Sequence, residues 1–170
     1  MEVRRLEPNQ ISEKEDFISF KIIIVGNSGV GKSSLLKKAV IDKFKEDYHP
    51  TIGFELQLIY YKINGKKIKL QIWDTCGQEM YRSLIQGFYR NSSLALLTYS
   101  ITDQKSFDDL SEWVKEIKNN SEEKISIFVV GNKYDLSNEL RIIKREDGEQ
   151  FVKNLAYNFL MKSQQKQDIM

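Results

Sequence analysis

The sequence has very little cysteine: Cys76 is the only one in 170 residues. A single cysteine cannot form an intramolecular disulfide, so an extracellular disulfide scaffold is excluded and a cytoplasmic location is expected. The only histidine, His49, has no cysteine or second histidine beside it, which argues against a zinc-type site. The sequence also lacks a large excess of either charge, because 26 Lys and Arg against 24 Asp and Glu give a net charge of +2. That balance does not indicate a nucleic-acid partner.

Long apolar runs are absent as well, since none approaches the roughly 18 residues of a membrane span. Residues 1–17 are charged and lack the apolar stretch of a signal peptide, and we predict a flexible N-terminal arm there. Glu2 stands where myristoylation needs glycine, and residues 168–170 offer no cysteine for prenylation, so no membrane anchor is expected. The composition, 41% hydrophobic and 29% charged, is that of a globular protein. Residues 18–170 are long enough for one domain.

The most specific motif is residues 26–33, GNSGVGKS, which fits the pattern GxxxxGK followed by Ser or Thr. It lies between a β-branched run at 21–25, typical of a buried strand, and a helical pattern at 32–41. In such a loop, glycines let backbone N–H groups curl around phosphate oxygens, and the lysine reaches the terminal phosphates. The candidate phosphate-binding residues are Ser28, Gly29, Val30, Gly31, Lys32, Ser33 and Ser34.

A loop of this kind also predicts Mg²⁺, because the hydroxyl of Ser33 directly follows the lysine and is suited to hold the metal. Mg²⁺ prefers six oxygen ligands and keeps several waters, so we expect a second hydroxyl and a carboxylate nearby. The candidates for these two roles are Thr51 and Asp74.

The second informative segment is residues 132–135, NKYD, which follows a run of buried-strand type at 125–130. The carboxylate of Asp135 is able to accept two hydrogen bonds from the N1 and N2 edge of guanine, whereas adenine offers no such donors. A buried carboxylate that faced the wrong base would be left without partners, which weakens binding. The two motifs together therefore predict a site for GTP and GDP rather than ATP.

The order of elements predicts an α/β fold. Residues 54–63 and 66–73 read as two strands, and the Asn-Gly pair at 64–65 is typical of a tight type I′ hairpin turn. Residues 94–100 are apolar on both faces, as in a central strand, and residues 146–159 have helical spacing. Such alternation implies a mostly parallel sheet with one antiparallel hairpin edge strand and helices on both faces. Ligands of these sheets lie beyond the carboxyl ends of the strands, where both motifs fall.

Residues 73–79, WDTCGQE, resemble the WDTAGQE segment of small GTPases of the Ras superfamily. Within that superfamily the sequence is most similar to Rab proteins, through IGFEL at 52–56 and KLQIWDT at 69–75, and the similarity extends over about residues 20–159. The resemblance implies the P-loop NTPase fold of a small G domain. Cys76 replaces the family's alanine, and we expect it to be a passive packing residue.

The resemblance implies a slow GTP hydrolase with Gln78 as its one catalytic side chain. In the family this glutamine orients the attacking water, and the amide of the preceding glycine, Gly77 here, contacts the γ-phosphate. Hydrolysis of this kind depends on positioning and charge stabilisation more than on a strong base. Arg82 and Arg90 follow on a predicted helix and are read as solvated or partner-facing charges. A partner protein is therefore expected to supply an arginine.

The resemblance also implies roles for residues around the nucleotide. Phe44 is at the family position whose ring meets guanine edge-on, although as an isolated residue it also fits a core position. Tyr48 is where a tyrosine often closes over the γ-phosphate. By the same resemblance Asn132 steadies the base-binding loop, and Lys133 packs its stem over the base.

Family members switch between two states, because the γ-phosphate orders two loops through the positions of Thr51 and Gly77 and hydrolysis releases them. Exchange factors, GTPase-activating proteins and effectors bind these loops. The expected recognition surface comprises Ile52, Phe54, Trp73 and Tyr89. The implied function is a monomeric, Mg²⁺-dependent GTP/GDP switch that regulates vesicle trafficking at endomembrane surfaces.

The sequence departs from the family pattern after residue 159. The family continues with a strand, a base-supporting loop and a final helix, whereas residues 161–166 match that loop only loosely. Ser163 and Gln164 remain candidates to present backbone amides to guanine. We therefore expect a G domain that is incomplete at its C-terminal end, with the final helix missing and with weak nucleotide affinity or marginal folding.

Two other functions remain open. A truncated GTPase-like module would act through protein contacts with weak or no nucleotide turnover. Intact Lys32, Ser33 and Gln78 favour the enzyme, whereas the missing final helix and lipid anchor favour the module. An ATP-dependent kinase with the same phosphate loop is the weakest alternative, because nothing else in the sequence resembles a second substrate site.

Overall fold

The computed structural model describes residues 2–7, 10–11, 16–41, 54–75, 87–121 and 125–167. For residues 41, 137–138 and 157–167 the description covers the backbone alone. Several residues singled out in the sequence lie outside the described part: Phe44, Tyr48, His49, Thr51, Ile52, Cys76, Gly77, Gln78 and Arg82.

Strands and helices alternate along the chain. The strands are β1 (Val3–Arg5), β2 (Ile18–Val25), β3 (Phe54–Ile63), β4 (Lys66–Thr75), β5 (Leu94–Ser100) and β6 (Ser126–Asn132). The helices are α1 (Lys32–Ile41), α2 (Gln104–Asp108), α3 (Leu110–Asn120), α4 (Ser137–Leu140) and α5 (Arg145–Gln167), with a 3-10 turn at Tyr134–Leu136.

The strands form one sheet in the order β1-β3-β4-β2-β5-β6. The neighbours β4, β2, β5 and β6 are parallel, whereas β3 is antiparallel to both β4 and β1. The β3–β4 hairpin turns at Asn64 and Gly65, whose φ angles of +47° and +82° are both in the left-handed region that the Asn-Gly pair predicts. The predicted α/β fold with a mostly parallel sheet and one antiparallel hairpin is confirmed.

Two apolar clusters lie on opposite faces of this sheet. Successive residues of β2 point to opposite faces, so Ile22 and Ile24 belong to one cluster while Ile23 and Val25 belong to the other. Leu36 of α1 packs into the first cluster. Helix α3 packs into the second through its buried residues Leu110, Trp113, Val114 and Ile117. Helices therefore cover both faces, as predicted.

The first residues differ from the flexible arm that the sequence predicted. Val3–Arg5 form the edge strand β1, which pairs with residues 61–63 of β3. The guanidinium of Arg5 donates to the carbonyls of Ala39 (3.4 Å) and Val40 (2.8 Å) in the last turn of α1. Those carbonyls have no partner within the helix, and a cation also complements the negative end of the helix dipole.

Helix α5 is longer than the sequence pattern predicted. It spans Arg145–Gln167 instead of ending at residue 159. In the part of the chain that the structure describes, no strand follows β6. Among the same residues, none of the helices combines the length and the hydropathy that crossing a bilayer requires.

Candidate functional site

Two loops meet at the carboxyl ends of the parallel strands. The phosphate loop, residues 26–33, follows β2, and the base loop, residues 132–135, starts at the last residue of β6. The side-chain amide of Asn132 donates to the carbonyl of Val30 at 2.8 Å. The two motifs are therefore held directly against each other, although about a hundred residues separate them in the sequence.

Close packing accounts for two glycines of the phosphate loop. A Cβ on Gly26 would lie 2.0 Å from the carbonyl oxygen of Thr98, and one on Gly31 would lie 2.4 Å from Nδ2 of Asn132. Their φ angles are +136° and +95°, in the region that favours glycine. A side chain at either position would push the loop away from its neighbours.

Lys32 is buried against the phosphate loop at the start of α1. Only 6% of its surface is exposed. Its Nζ donates to the carbonyl oxygens of Gly26 and Asn27, each at 2.8 Å. The ammonium group thus lies at the positive end of the helix dipole, beside the backbone N–H groups of the loop. This combination suits the binding of a polyphosphate.

Ser33 and Asp74 form a hydroxyl–carboxylate pair next to Lys32. The Ser33 hydroxyl donates to Oδ2 of Asp74. Asp74 is fully buried, and its Oδ1 has no hydrogen-bond partner among the described residues. Burial raises the pKa of Asp74, against the opposing effects of the Ser33 hydrogen bond and the Lys32 charge.

This pair fits Mg²⁺, which takes hydroxyl and carboxylate oxygens together with water. A buried carboxylate with an oxygen to spare is costly unless a cation or further donors satisfy it. The third predicted ligand, Thr51, lies outside the described residues. In the described part of the chain, no group of three or more His, Cys, Asp and Glu side chains offers a different metal site.

The base loop turns sharply after β6. Lys133 has a φ of +66°, which is uncommon for a residue with a side chain. The 3-10 turn that follows carries Asp135, which is exposed. The Asp135 side chain is therefore accessible to a ligand.

Two predicted base contacts lie in a different setting from the one expected. Ser163 and Gln164 are within α5 rather than in a loop, so the expected loop is wrong. An amide inside an α-helix donates to the carbonyl four residues earlier. Contact between these amides and guanine would require α5 to end before residue 163.

An aromatic cluster at the same end of the sheet as the two loops consists of Phe54, Trp73 and Phe88. Its ring centroids are 4.4–5.4 Å apart, and Phe54 is 53% exposed. The Nζ of Lys21 lies 5.6 Å and 6.0 Å from the Trp73 and Phe88 centroids, within the range of a cation–π contact. Partial burial lowers the pKa of Lys21.

Tyr89 is not part of this surface, so that prediction is wrong. The residue is completely buried, and its hydroxyl donates to Oε1 of Glu116 at 3.1 Å. Its neighbour Phe88 takes the expected place. Two adjacent aromatic residues carry no local signal that tells which of them faces the core, and only the packing against α3 decides it.

Comparison with known proteins gives one consistent result. A family model described as the Ras family matches residues 21–170. The Ras-related protein SEC4 of Saccharomyces cerevisiae is 38% identical over 148 residues, which cover 87% of this chain and 68% of that protein. The Ras-related protein Rab-30 of Homo sapiens is 40% identical over 156 residues, covering 92% and 76%. The Ras-related protein RABA2c of Arabidopsis thaliana is 38% identical over 152 residues, covering 89% and 69%.

Proposed function

Because this chain belongs to the Rab branch of the Ras family of small GTPases, we propose that it binds GTP and GDP with Mg²⁺, hydrolyses GTP and acts as a molecular switch. One observation carries the proposal. Three groups converge on the phosphate loop: the buried amine of Lys32, the Ser33–Asp74 pair and the side-chain amide of Asn132. A phosphate anchor, a metal-type oxygen pair and a base-reading loop are the parts that such a nucleotide requires.

The phosphate loop would bind the polyphosphate through the backbone N–H groups of residues 28–34. Lys32 would turn its ammonium from the carbonyls of Gly26 and Asn27 toward the terminal phosphates. That exchange is favourable because a hydrogen bond between two charged groups is stronger than one to a neutral carbonyl. Ser33, Thr51 and Asp74 are the residues that would hold Mg²⁺. When bound, the metal neutralises charge on the β- and γ-phosphate oxygens.

The base loop would select guanine. Asp135 accepts from the N1 and N2 donors of the base, and the aliphatic stem of Lys133 packs over the ring. Asn132 keeps the base loop in place through its bond to Val30. Phe44 would meet the base from the other side. Adenine would leave the Asp135 carboxylate without donors, which is the physical basis of the discrimination.

Hydrolysis would depend on Gln78, which orients the attacking water, and on the amide of Gly77 at the γ-phosphate. Tyr48 would close over the same phosphate. Arg90 is exposed and is free to face a partner protein. A GTPase-activating partner that supplies an arginine would accelerate the slow intrinsic reaction by about 10³–10⁵.

The loops ordered by the γ-phosphate would present the aromatic cluster to effectors, and exchange factors would reset the switch. Phe54 is already exposed on this surface, so the cluster is available for docking. By analogy with the family, the process regulated is vesicle trafficking. We propose a monomeric protein that works in the cytoplasm and at endomembrane surfaces.

A second candidate is a GTPase-like interaction module with weak or no turnover. The specific observation in its favour is that α5 continues through Ser163 and Gln164, where a base-supporting loop was expected. The module would keep the aromatic cluster and its partners while holding nucleotide poorly.

Two measurements separate these candidates. Calorimetric titration with Mg²⁺ should give binding of GDP and GTP and none of ATP. Single-turnover assays should show slow hydrolysis of GTP that Gln78→Leu abolishes without loss of GTP affinity. Binding without turnover in the unsubstituted chain would favour the module, and equal affinity for ATP and GTP would refute the guanine site.

A further inference from the structure

The side chain of Asn27, in the phosphate loop, is held by two residues of the neighbouring helical segment. Its Nδ2 donates to Oδ2 of Asp109 at 2.6 Å. Its Oδ1 accepts from the indole Nε1 of Trp113 at 2.7 Å. Asp109 and Trp113 are four residues apart, so they lie on one side of the first turn of α3. None of the nucleotide-binding motifs in the sequence includes them.

The chemistry of the two partners fixes the orientation of the Asn27 amide. An indole N–H only donates, and an ionised carboxylate only accepts. The amide oxygen must therefore face Trp113 and the amide nitrogen must face Asp109. Aspartate at position 27 would satisfy the indole but would place a second carboxylate against Asp109. Asparagine is thus the side chain of this length that satisfies both partners at once.

Asp109 is also diverted from its usual local role. It stands at the N-cap of α3, where aspartate normally accepts a hydrogen bond from the first turn of the helix, yet its side chain makes no such capping bond. Its carboxylate is instead bound by Asn27 and by Lys105, the latter at 3.0 Å. Trp113 is only 1% exposed, so its indole is a fixed anchor.

The contact bears directly on the part of the loop that binds phosphate. The backbone carbonyl of Asn27 accepts from Nζ of Lys32 at 2.8 Å. Asn27 is therefore joined to α3 through its side chain and to the phosphate-binding lysine through its backbone. Movement of Asn27 away from α3 would shift both the loop and the resting position of Lys32.

We propose that Asp109 and Trp113 are positioning residues which act through Asn27 to hold the phosphate loop in its binding conformation and thereby set the lifetime of bound nucleotide. The inference rests on the proposed function, because it concerns the same nucleotide site. Neither residue contacts the nucleotide in this scheme. They reduce the conformational freedom that the loop would otherwise lose on binding.

The test is an exchange of the two polar groups. Asn27→Asp alone sets two carboxylates against each other and should speed release of a fluorescent GDP analogue by about tenfold or more, as expected for the loss of a charge-assisted hydrogen bond. Adding Asp109→Asn restores a donor at 109 for the new acceptor at 27, while Trp113 still donates to the other oxygen. The double variant should therefore release GDP within about threefold of the unsubstituted rate.

The matched control is Asp108→Asn, which removes the same charge from the adjacent residue. Asp108 accepts from Gln104 on the surface and does not touch Asn27, so the release rate should not change. If Asn27→Asp acted only by repelling the phosphates, the double variant would remain as fast as the single one, and the inference would be wrong. An unchanged release rate in Asn27→Asp would also overturn it.

A second readout needs no nucleotide. The indole N–H of Trp113 should be protected from hydrogen exchange in the NMR spectrum of the unsubstituted protein and should lose protection in Asn27→Ala. Protection that persists in Asn27→Ala would contradict the inference while leaving the proposed function intact. If the unsubstituted chain failed to bind GDP while the indole was protected, the proposed function would be refuted. Only the hydrogen bonding of Asn27 to Asp109 and Trp113 would then stand.

Discussion

Gly31 is the glycine of the phosphate loop that packs against the base loop. A Cβ there would meet the Asn132 amide that joins the base loop to the phosphate loop. Gly65 offers a matched comparison, because its φ of +82° is also in the left-handed region but no described atom lies within 4 Å of its Cβ position. A side chain at either glycine would therefore force a left-handed backbone on a residue that disfavours it. Only at Gly31 would the side chain also collide with a neighbouring group.

We predict that Gly65→Ala lowers the free energy of unfolding by about 1–2 kcal/mol, the cost of a left-handed backbone for alanine, and leaves GDP affinity unchanged. Gly31→Ala should in addition weaken GDP binding by about tenfold or more, because it displaces Asn132 from Val30. Urea denaturation and calorimetric titration of both variants would measure the two effects. Equal GDP affinities of Gly31→Ala and Gly65→Ala would show that the contact between Asn132 and Val30 does not support the site.

Asp74 should make stability depend on pH in the absence of nucleotide. Burial raises its pKa, so the folded state retains a proton that the unfolded chain has already released. The resulting stabilisation is present below the unfolded pKa of about 3.9 and is lost as the pH rises through the higher folded pKa. At neutral pH the buried carboxyl group of Asp74 therefore destabilises the nucleotide-free protein relative to a side chain that cannot ionise.

We predict that Asp74→Asn raises the free energy of unfolding of the nucleotide-free protein at pH 7 and weakens Mg²⁺-dependent GDP binding. The gain in stability should shrink as the pH falls toward about 4, where the unsubstituted carboxyl is also neutral. Denaturation curves across this range would show it, with the surface variant Asp108→Asn as control. A stability gain of Asp74→Asn that increased toward low pH would contradict a raised pKa of Asp74.

At the scale of elements, α5 docks on β5 through a glycine. Gly148 lies near the start of α5, and a Cβ there would be 2.7 Å from the hydroxyl of Tyr99. The same hydroxyl is 2.8 Å from the Cβ position of Gly131, and Tyr99 is only 6% exposed. The tyrosine is therefore confined from two sides, and its burial also raises the pKa of its hydroxyl.

Helix propensity alone favours Gly148→Ala by about 1 kcal/mol. We predict the opposite sign in this protein, a loss of stability, because the new methyl group collides with Tyr99. In a Tyr99→Phe background the collision disappears, and Gly148→Ala should become stabilising by up to about 1 kcal/mol. Thermal or urea denaturation of the four proteins in this double-mutant cycle would test it. The same effect in both backgrounds would mean that α5 does not dock as described.

At the scale of the whole molecule, both loops lie at the carboxyl ends of the parallel strands, whereas the strand pair β1–β3 lies apart from them. Phosphate loop and base loop lie beyond β2 and β6, while β1 closes the opposite side of the sheet against β3. A ligand that contacts both loops should stabilise them as a unit, because Asn132 joins them. The β1–β3 edge has no share in that contact.

We therefore predict that GDP with Mg²⁺ increases hydrogen-exchange protection in residues 26–33 and 132–136 together, and leaves residues 3–5 and 61–63 nearly unchanged. ATP at the same concentration should have no effect. Exchange measured by mass spectrometry would resolve these segments. Protection in only one of the two loops would contradict a site built from both.

Much of the architecture followed from local pattern. The Asn-Gly turn at 64–65, the apolar strand at 94–100 and the strand before residue 132 are set by neighbouring residues, and all are present. The phosphate and base motifs could be recognised because their residues are contiguous. Three features could not: the pairing of β1, the burial of Tyr89 instead of Phe88, and the bonds from Asn27 to α3. Each depends on contacts between residues far apart in the sequence, 82 and 86 positions in the case of Asn27.

By itself the sequence determined the fold class and the family and predicted the residue types of the candidate site, because periodicity, turn chemistry and short motifs act over a few neighbouring residues. Only the tertiary structure decided that Asn132 bonds to the phosphate loop, that Asp74 is fully buried beside Ser33, and that α3 holds Asn27. The physical reason is that hydrogen bonding and desolvation depend on which groups the chain brings within a few ångströms. That distance is set by the packing of the whole sheet and its helices.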